Sequence, residues 1–434
     1  MLLIYAPYKT NRLTYVLDFI FRQLCFVHYT FTFNKSDFDA YNGAKIAYTY
    51  EVQQNCAWMY NSGLLFEKEI KNEIPPIAHT DWGVAIYKSE SDKSIAPFDV
   101  FAAIFWFISR YEEYIVHEKD NHQRFDYRSS WAFKNNVLQI PMVNEWGIQL
   151  CKSLKLKYPD INITYSTYRF IPSFDVDNFF AFKGKTLARS FLATTHALVA
   201  KRFDLVWLRI NYLLKHNDPY DTYDYILDVC RQYNLEPYFF ILSGKTSEWD
   251  RNLKANHPLF IDTCKKLQQQ KSKIGLHLSY NATINNTAKE EKSLLEKVTG
   301  MDMFINRFHF LRFSLPQSYQ MLVNAGIKED YSMSYASIDG YRAGTCTPFY
   351  FYDLENEVIT DLLIYPMPFI DRTLINSLKL DTTEAEAKIE QYIRQIKAYN
   401  GVFVSLWHNE TLQENKYWSK WRTVFEWMVK EAAK

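Results

Sequence analysis

The chain has 434 residues, enough for two or three domains at roughly 150 residues each, and its 48% hydrophobic and 23% charged residues suit a globular protein with a sizeable core. Lys and Arg number 50 against 49 Asp and Glu, a net charge of +1, so no global basic field exists to hold nucleic acid or an anionic membrane. The 32 Phe, 32 Tyr and 11 Trp exclude disorder as the main state.

The chain opens on an apolar stretch, Met1 to Tyr8, that Lys9 and Arg12 interrupt. It lacks the basic, apolar and small-residue succession of a signal peptide, and no uncharged run reaches the 18 residues a transmembrane helix would need. Phe98 to Tyr114 is apolar on nearly every face and predicts a largely buried helix. Asp120-Asn-His-Gln-Arg-Phe125 then reads as a loop, and its His122 is expected to be an ordinary surface or capping residue. The polar, Pro159-bearing segment Lys152–Thr164 places a domain boundary near residue 165, giving a smaller N-terminal accessory α/β domain over 1–165 and a second domain over 166–434.

The second part alternates. Strands are predicted at Arg169–Phe174, Tyr238–Leu242, Ile274–Leu276, Phe304–His309 and Val402–Trp407, and helices at Tyr220–Tyr233, Leu259–Gln270, Lys289–Val298, Pro316–Ala325, Thr382–Ala398 and Tyr417–Ala432. Asp381-Thr-Thr-Glu384 has the capping-box form, and Gly326 and Gly401 follow helix ends. Such alternation implies parallel strands with helical crossovers, and about 270 residues suit a (β/α) barrel or a relative of one.

With 12 glycines, the closest pair being Gly340 and Gly344, neither GxGxxG nor a phosphate loop can be written. Gly340-Tyr-Arg-Ala-Gly344 has Arg where a serine elbow needs Ser. P-loop ATPases, standard dinucleotide dehydrogenases and serine α/β-hydrolases are thereby disfavoured. Six cysteines lie scattered with no CxxC and are expected to be reduced and mostly buried, in a cytoplasmic protein.

The chemistry gathers at strand ends. Asp175 and Asp177, His277, His309 and His408 each stand at or just past the C-terminal end of a predicted strand, and in a parallel barrel those ends share one face. Asp oxygens and imidazole nitrogens form a zinc-type donor set. Water at such a cation loses a proton near neutral pH, a second carboxylate can take that proton, and a further His can protonate a leaving group. These are the parts for metal-assisted hydrolysis of an amide or ester.

In these segments the chain resembles the polysaccharide deacetylases of the NodB-homology, or carbohydrate esterase 4, group. Ser173-Phe-Asp-Val-Asp177 resembles their first motif, Gly275-Leu-His-Leu-Ser-Tyr280 the second, Gly340-Tyr-Arg-Ala-Gly344 the arginine motif and Leu406-Trp-His-Asn409 the last, in matching order over about 168–434. Arg307-Phe-His-Phe-Leu-Arg312 and Glu329-Asp-Tyr-Ser-Met333 look like a branch found with bacterial surface-polysaccharide genes that carries an extra N-terminal domain. The resemblance implies a distorted (β/α) barrel and a zinc-dependent enzyme that removes an acetyl group from an N-acetylated sugar. It implies Asp175 as base, Arg342 as the group orienting it, His408 as general acid, and Asp177 and His277 as metal ligands. The second metal-binding His of the family is Asn281 here, and His309 is the expected replacement. Tyr280, Trp407 and Asp371 are assigned to the substrate side, with Asp371 also a candidate acidic partner for His408. Two rival readings are a glycosyltransferase using Asp-x-Asp, and a sugar-binding protein on a deacetylase-like scaffold.

Overall fold

The computed structural model describes residues 1–184, 195, 199, 203–215, 217–415 and 418–434. Near the N-terminus, strands β1 (Leu2–Tyr5), β2 (Tyr29–Thr32), β3 (Lys45–Thr49) and β4 (Ala57–Tyr60) form a parallel sheet in the order β2-β1-β3-β4. A short strand, Cys25–Phe26, pairs with Thr164–Tyr165, so the segment before residue 166 returns to where it began. The helix expected over Phe98–Tyr114 runs only over Val100–Ile108, with every residue buried. It stops because Arg110 takes the left-handed conformation (φ 55) and Tyr111–Glu113 turn as a 3-10 helix.

The second part holds an eight-stranded sheet. Its strands are β5 (Arg169–Val176), β6 (Tyr238–Ile241), β7 (Lys273–Leu278), β8 (Ile305–Phe308), β9 (Glu329–Met333), β10 (Phe349–Asp353), β11 (Val358–Pro366) and β12 (Val402–His408), in the order β10-β11-β9-β8-β7-β6-β5-β12. All neighbours are parallel except the edge hairpin β10–β11. Helices Tyr223–Gln232, Pro258–Gln269, Ala288–Thr299, Gln317–Asn324 and Thr382–Ala398 make crossovers, and Ser419–Ala433 follows β12. The last of the expected helices began at Tyr417, which lies outside the described residues. The capping box at Asp381 and Glu384 is formed. The sheet curls until Ile370, just past β11, bridges Leu406 of β12 in parallel, leaving one thinly joined seam in a barrel-like α/β fold.

One hydrophobic core runs from Leu2 to Ala432 across both parts. Gly344 (φ +64) lets the two meet, since a Cβ there would stand 3.1 Å from Phe107 and 3.3 Å from Val143. Beside it lies a buried charge network. Arg110 bonds Glu112 and Glu113, and Glu113 receives two hydrogen bonds from Arg342 at 2.9 and 2.7 Å. All six cysteines are buried and unpaired.

Candidate metal centre

Strand register builds the site. His408 pairs with Asp175 across β12–β5, and His277 with Arg307 across β7–β8. Side chains two apart on a strand share a face, so Asp175 and Asp177 project together, as do Arg307 and His309 just beyond β8. The five acidic and imidazole groups expected from the sequence are therefore brought together, each between 1% and 9% exposed. One donor atom each from Asp177, His277 and His309 lies within 4.8 Å of the others.

The hydrogen bonds fix which ring nitrogen faces inward. His277 Nδ1 lies 2.9 Å from the Arg307 carbonyl, which only accepts, so Nδ1 carries the proton. His309 Nδ1 lies 2.8 Å from the Asp250 carboxylate and does the same. Both Nε2 atoms then turn toward Asp177 Oδ1, at 3.2 and 3.5 Å. That oxygen is buried with no hydrogen-bond partner. Two lone pairs and an orphaned carboxylate oxygen converging at this range repel one another unless a positive charge sits among them. The residues thus fit a divalent cation, with Asp250 and the Arg307 carbonyl orienting the imidazoles as outer partners do at metal sites. The electrostatics agree. Burial alone would raise the Asp177 pKa, but His309, His277 and His408 hold it well below the usual carboxylate range. Burial lowers His309, yet Asp177 and Asp250 overcome it and push its pKa up to about 9, a proton substituting for a cation's charge.

Asp175 accepts from Arg307 Nη1 at 2.7 Å. Arg307 is fully buried, with its other nitrogens on Ser173 Oγ and the Tyr331 carbonyl and its plane 4.1 Å from the centre of the Phe240 ring. His408 Nδ1 lies 2.8 Å from Asp371 Oδ1, and its Nε2 points toward Asp177 Oδ2 at 3.7 Å. Against the effect of burial, Asp371 raises the His408 pKa.

Several expectations are corrected. Arg342 does not reach Asp175; it is committed to Glu113 and the Ser334 carbonyl, and Arg307 holds the carboxylate instead. Trp407 alternates away from His408 and is fully buried, its Nε1 on Met428 Sδ and its ring edge-on to Phe425, so it does not face the cleft. Asp371 is also fully buried, its oxygens taken by His408, Thr411 and the Arg372 amide, so it faces the imidazole and not a substrate. Tyr280 is buried behind His122, outside the cleft lining, stacked on Trp249 and bonded to His122 Nδ1 at 3.0 Å.

Sequence gives no role to Arg307, Asp250 or Arg372, and the expectation that His122 is an ordinary surface or capping residue is corrected, since it lines the cleft. Its loop supplies both His122 and Arg124 to this cleft of about 220 Å³, whose lining includes Asp175, Asp177, His309, Arg372 and His408. Arg124 Nη1 donates to the Phe310 carbonyl at 2.6 Å, and Arg312 Nε to the His122 carbonyl at 3.1 Å. Arg372 bonds Glu410 and stands 3.7 Å from Asp177.

Residues 2–159 match the model of a family described as a family of unknown function, DUF7033. No curated protein matches the chain. Among solved structures, a protein from Mycobacterium smegmatis assigned as a polysaccharide deacetylase aligns at 13% identity and a TM-score of 0.39, over 62% of this chain and 84% of its own. A 4-alpha-glucanotransferase from Thermococcus litoralis aligns at 16% and 0.33, over 62% and 37%. The Xyl-CE4 domain of a multidomain xylanase from the hindgut metagenome of Trinervitermes trinervoides aligns at 11% and 0.26, over 62% and 82%. None of these scores reaches 0.5.

Proposed function

We propose that the cleft is the active site of a metal-dependent hydrolase that removes an acetyl group from an N-acetylated sugar. Asp177, His277 and His309 would hold the cation, zinc by donor type. The observation that carries this is the convergence of two imidazole lone pairs on the unpartnered Asp177 oxygen, with one carboxylate and one raised-pKa imidazole beside it. When bound, the cation supplies Lewis acidity to a carbonyl oxygen and to water.

The chain's own groups do the rest. Asp175, fixed by Arg307, takes a proton from the attacking water as its oxygen bonds to the acetyl carbon. His408, kept protonated by Asp371, gives its Nε2 proton to the amine as the C–N bond breaks. The products are acetate and the free amine. Asp175 has Arg307 on one oxygen, which disfavours the Asp-x-Asp pyrophosphate-binding alternative, and that alternative gives the histidines no work. The sugar as substrate class rests on the resemblance of the ordered motifs. The six unpaired, buried thiols suit a reducing cytoplasm. In this reading the chain divides near residue 165, and the N-terminal part supplies one wall of the cleft.

The test is metal content and hydrolysis of N-acetyl sugars and acetyl-ester probes. Wild type should bind about one divalent ion. Asp177→Ala should lose it, and His408→Ala should keep the ion but lose turnover. Unchanged metal content in Asp177→Ala refutes the ligand assignment.

A further inference from the structure

A second chamber, of about 200 Å³, adjoins the cleft, and Arg124, Leu311, Ala336 and Ser337 line both. Neither space alone reaches the roughly 300–1,000 Å³ of small-molecule sites, and the two together do. The walls of the chamber join the two parts of the chain. The N-terminal loop supplies Phe125 and Tyr127. Ser334 and Tyr335 come from just past the end of β9, on the strand-end face that also carries the proposed metal donors.

Two hydroxyls there have no use inside the protein. Ser334 is fully buried and Tyr335 is 3% exposed, and neither side-chain oxygen has a hydrogen-bond partner among the described residues. An unpaired buried hydroxyl is a net cost to folding, so the pair points to a ligand that supplies the missing bonds. The charges in the wall point to its class. Arg124 is paired with Asp120, Arg128 with Asp126 and Arg342 with Glu113. Each guanidinium in this wall thus already has a carboxylate of its own, and none is left over for a phosphate or an acidic sugar. The Tyr335 ring lies 6.4 Å from those of Phe125 and Tyr127 between centroids. Aromatic faces beside a few convergent hydroxyls suit a neutral, polyhydroxylated ring.

We infer that the chamber is a second sugar subsite, so that the cleft takes an N-acetylated disaccharide or longer chain. One uncharged ring sits against Ser334 and Tyr335 while the acetamido group of its neighbour lies at Asp177, His277 and His309. That placement of the acetamido group rests on the function proposed above.

The experiment is calorimetric titration of the full-length, metal-loaded protein in a His408→Ala background, which keeps the sugars intact. The probes are N-acetylglucosamine, diacetylchitobiose, and a disaccharide of N-acetylglucosamine with glucuronic acid. Diacetylchitobiose should bind about tenfold or more tighter than the monosaccharide. Tyr335→Phe and Ser334→Ala should each weaken the disaccharide about fivefold and leave the monosaccharide unchanged. The thermal midpoint of Tyr335→Phe without sugar should equal or exceed that of its parent, because an unpaired hydroxyl is removed; a hydroxyl kept for structure would give a lower midpoint, and that result overturns the subsite. The subsite is also overturned if diacetylchitobiose binds no tighter than the monosaccharide, if both variants bind it like their parent, or if the glucuronic acid disaccharide binds tightest. Disaccharide binding that depends on Tyr335, in a protein whose wild type releases no acetate from any sugar, supports the subsite and overturns only the hydrolase reading. Acetate release by wild type at equal kcat/KM from both N-acetylglucosamine and diacetylchitobiose overturns the subsite alone.

Discussion

Asp371 gives the His408 imidazole its direction and its charge. It accepts from both the ring Nδ1 and the backbone amide of His408, at 2.8 Å each, while Thr411 and the Arg372 amide fill the remaining lone pairs. The carboxylate's own pKa is lowered; burial opposes this, and His408 overcomes burial. A raised imidazole pKa keeps the proton to higher pH, so the proposed general acid is present at low and neutral pH and is lost as pH climbs through that raised value. Asp371→Asn removes the negative charge, so the alkaline limb of kcat should move to lower pH and kcat at neutral pH should fall by roughly 10²-fold. A pH–rate profile whose alkaline limb does not move would count against this pairing as the source of the proton donor's strength.

At the scale of elements, the turn after β8 carries both a proposed metal donor and strain. Phe310, next to His309, sits at φ 59, a conformation bulky side chains avoid and that costs about 1–3 kcal/mol. Arg124 holds its carbonyl from the N-terminal part. Arg124→Ala should release the turn and weaken divalent-metal affinity by about 10–100-fold, measurable by competition with a metal indicator; unchanged affinity would show that the turn holds itself. Sequence makes β5, β7 and β12 legible because each is a largely apolar run leading into Asp or His, β6 because Tyr238–Leu242 is apolar throughout, and β8 because Phe304, Ile305 and Phe308 lead into His309. It hides β9 because Asp330 and Ser332 lie inside, Asp330 accepting from Asn306, Tyr319 and the Ser332 hydroxyl, so no apolar signal marks the strand. The proposed metal donors are legible because their chemistry is rare at strand ends. The arginine was misassigned because Arg342 lies in a motif-like context, although Arg307, two positions before His309, already shared its face. His122 and Arg124 could not be read, since nothing local says that a loop more than 150 residues upstream of Tyr280 and Phe310 packs against them.

At the scale of the molecule, the two parts are locked by charge as well as by apolar packing. Arg342 and Glu113 are each 2% exposed on their side chains, and Arg342 and Arg110 hold the Glu113 pKa at about 2 although burial pushes it up. Both charges are already paired in the dry interior, so deleting one strands the others. Glu113→Ala should cost about 3–5 kcal/mol, seen as a lowered thermal midpoint. A midpoint equal to wild type would mean that water or another anion reaches the arginines.

The barrel has one stitch where the other strand neighbours have ladders, the bridge between Ile370 and Leu406. Asp371 follows one end of that stitch, and His408 lies two residues past the other. Parting the fabric there would draw the proposed proton donor away from its counter-charge while leaving the three proposed metal donors in place. Acid strength is thereby made hostage to the least-fastened edge of the scaffold, and tightening that hem is a way to alter turnover without touching a single group that meets substrate.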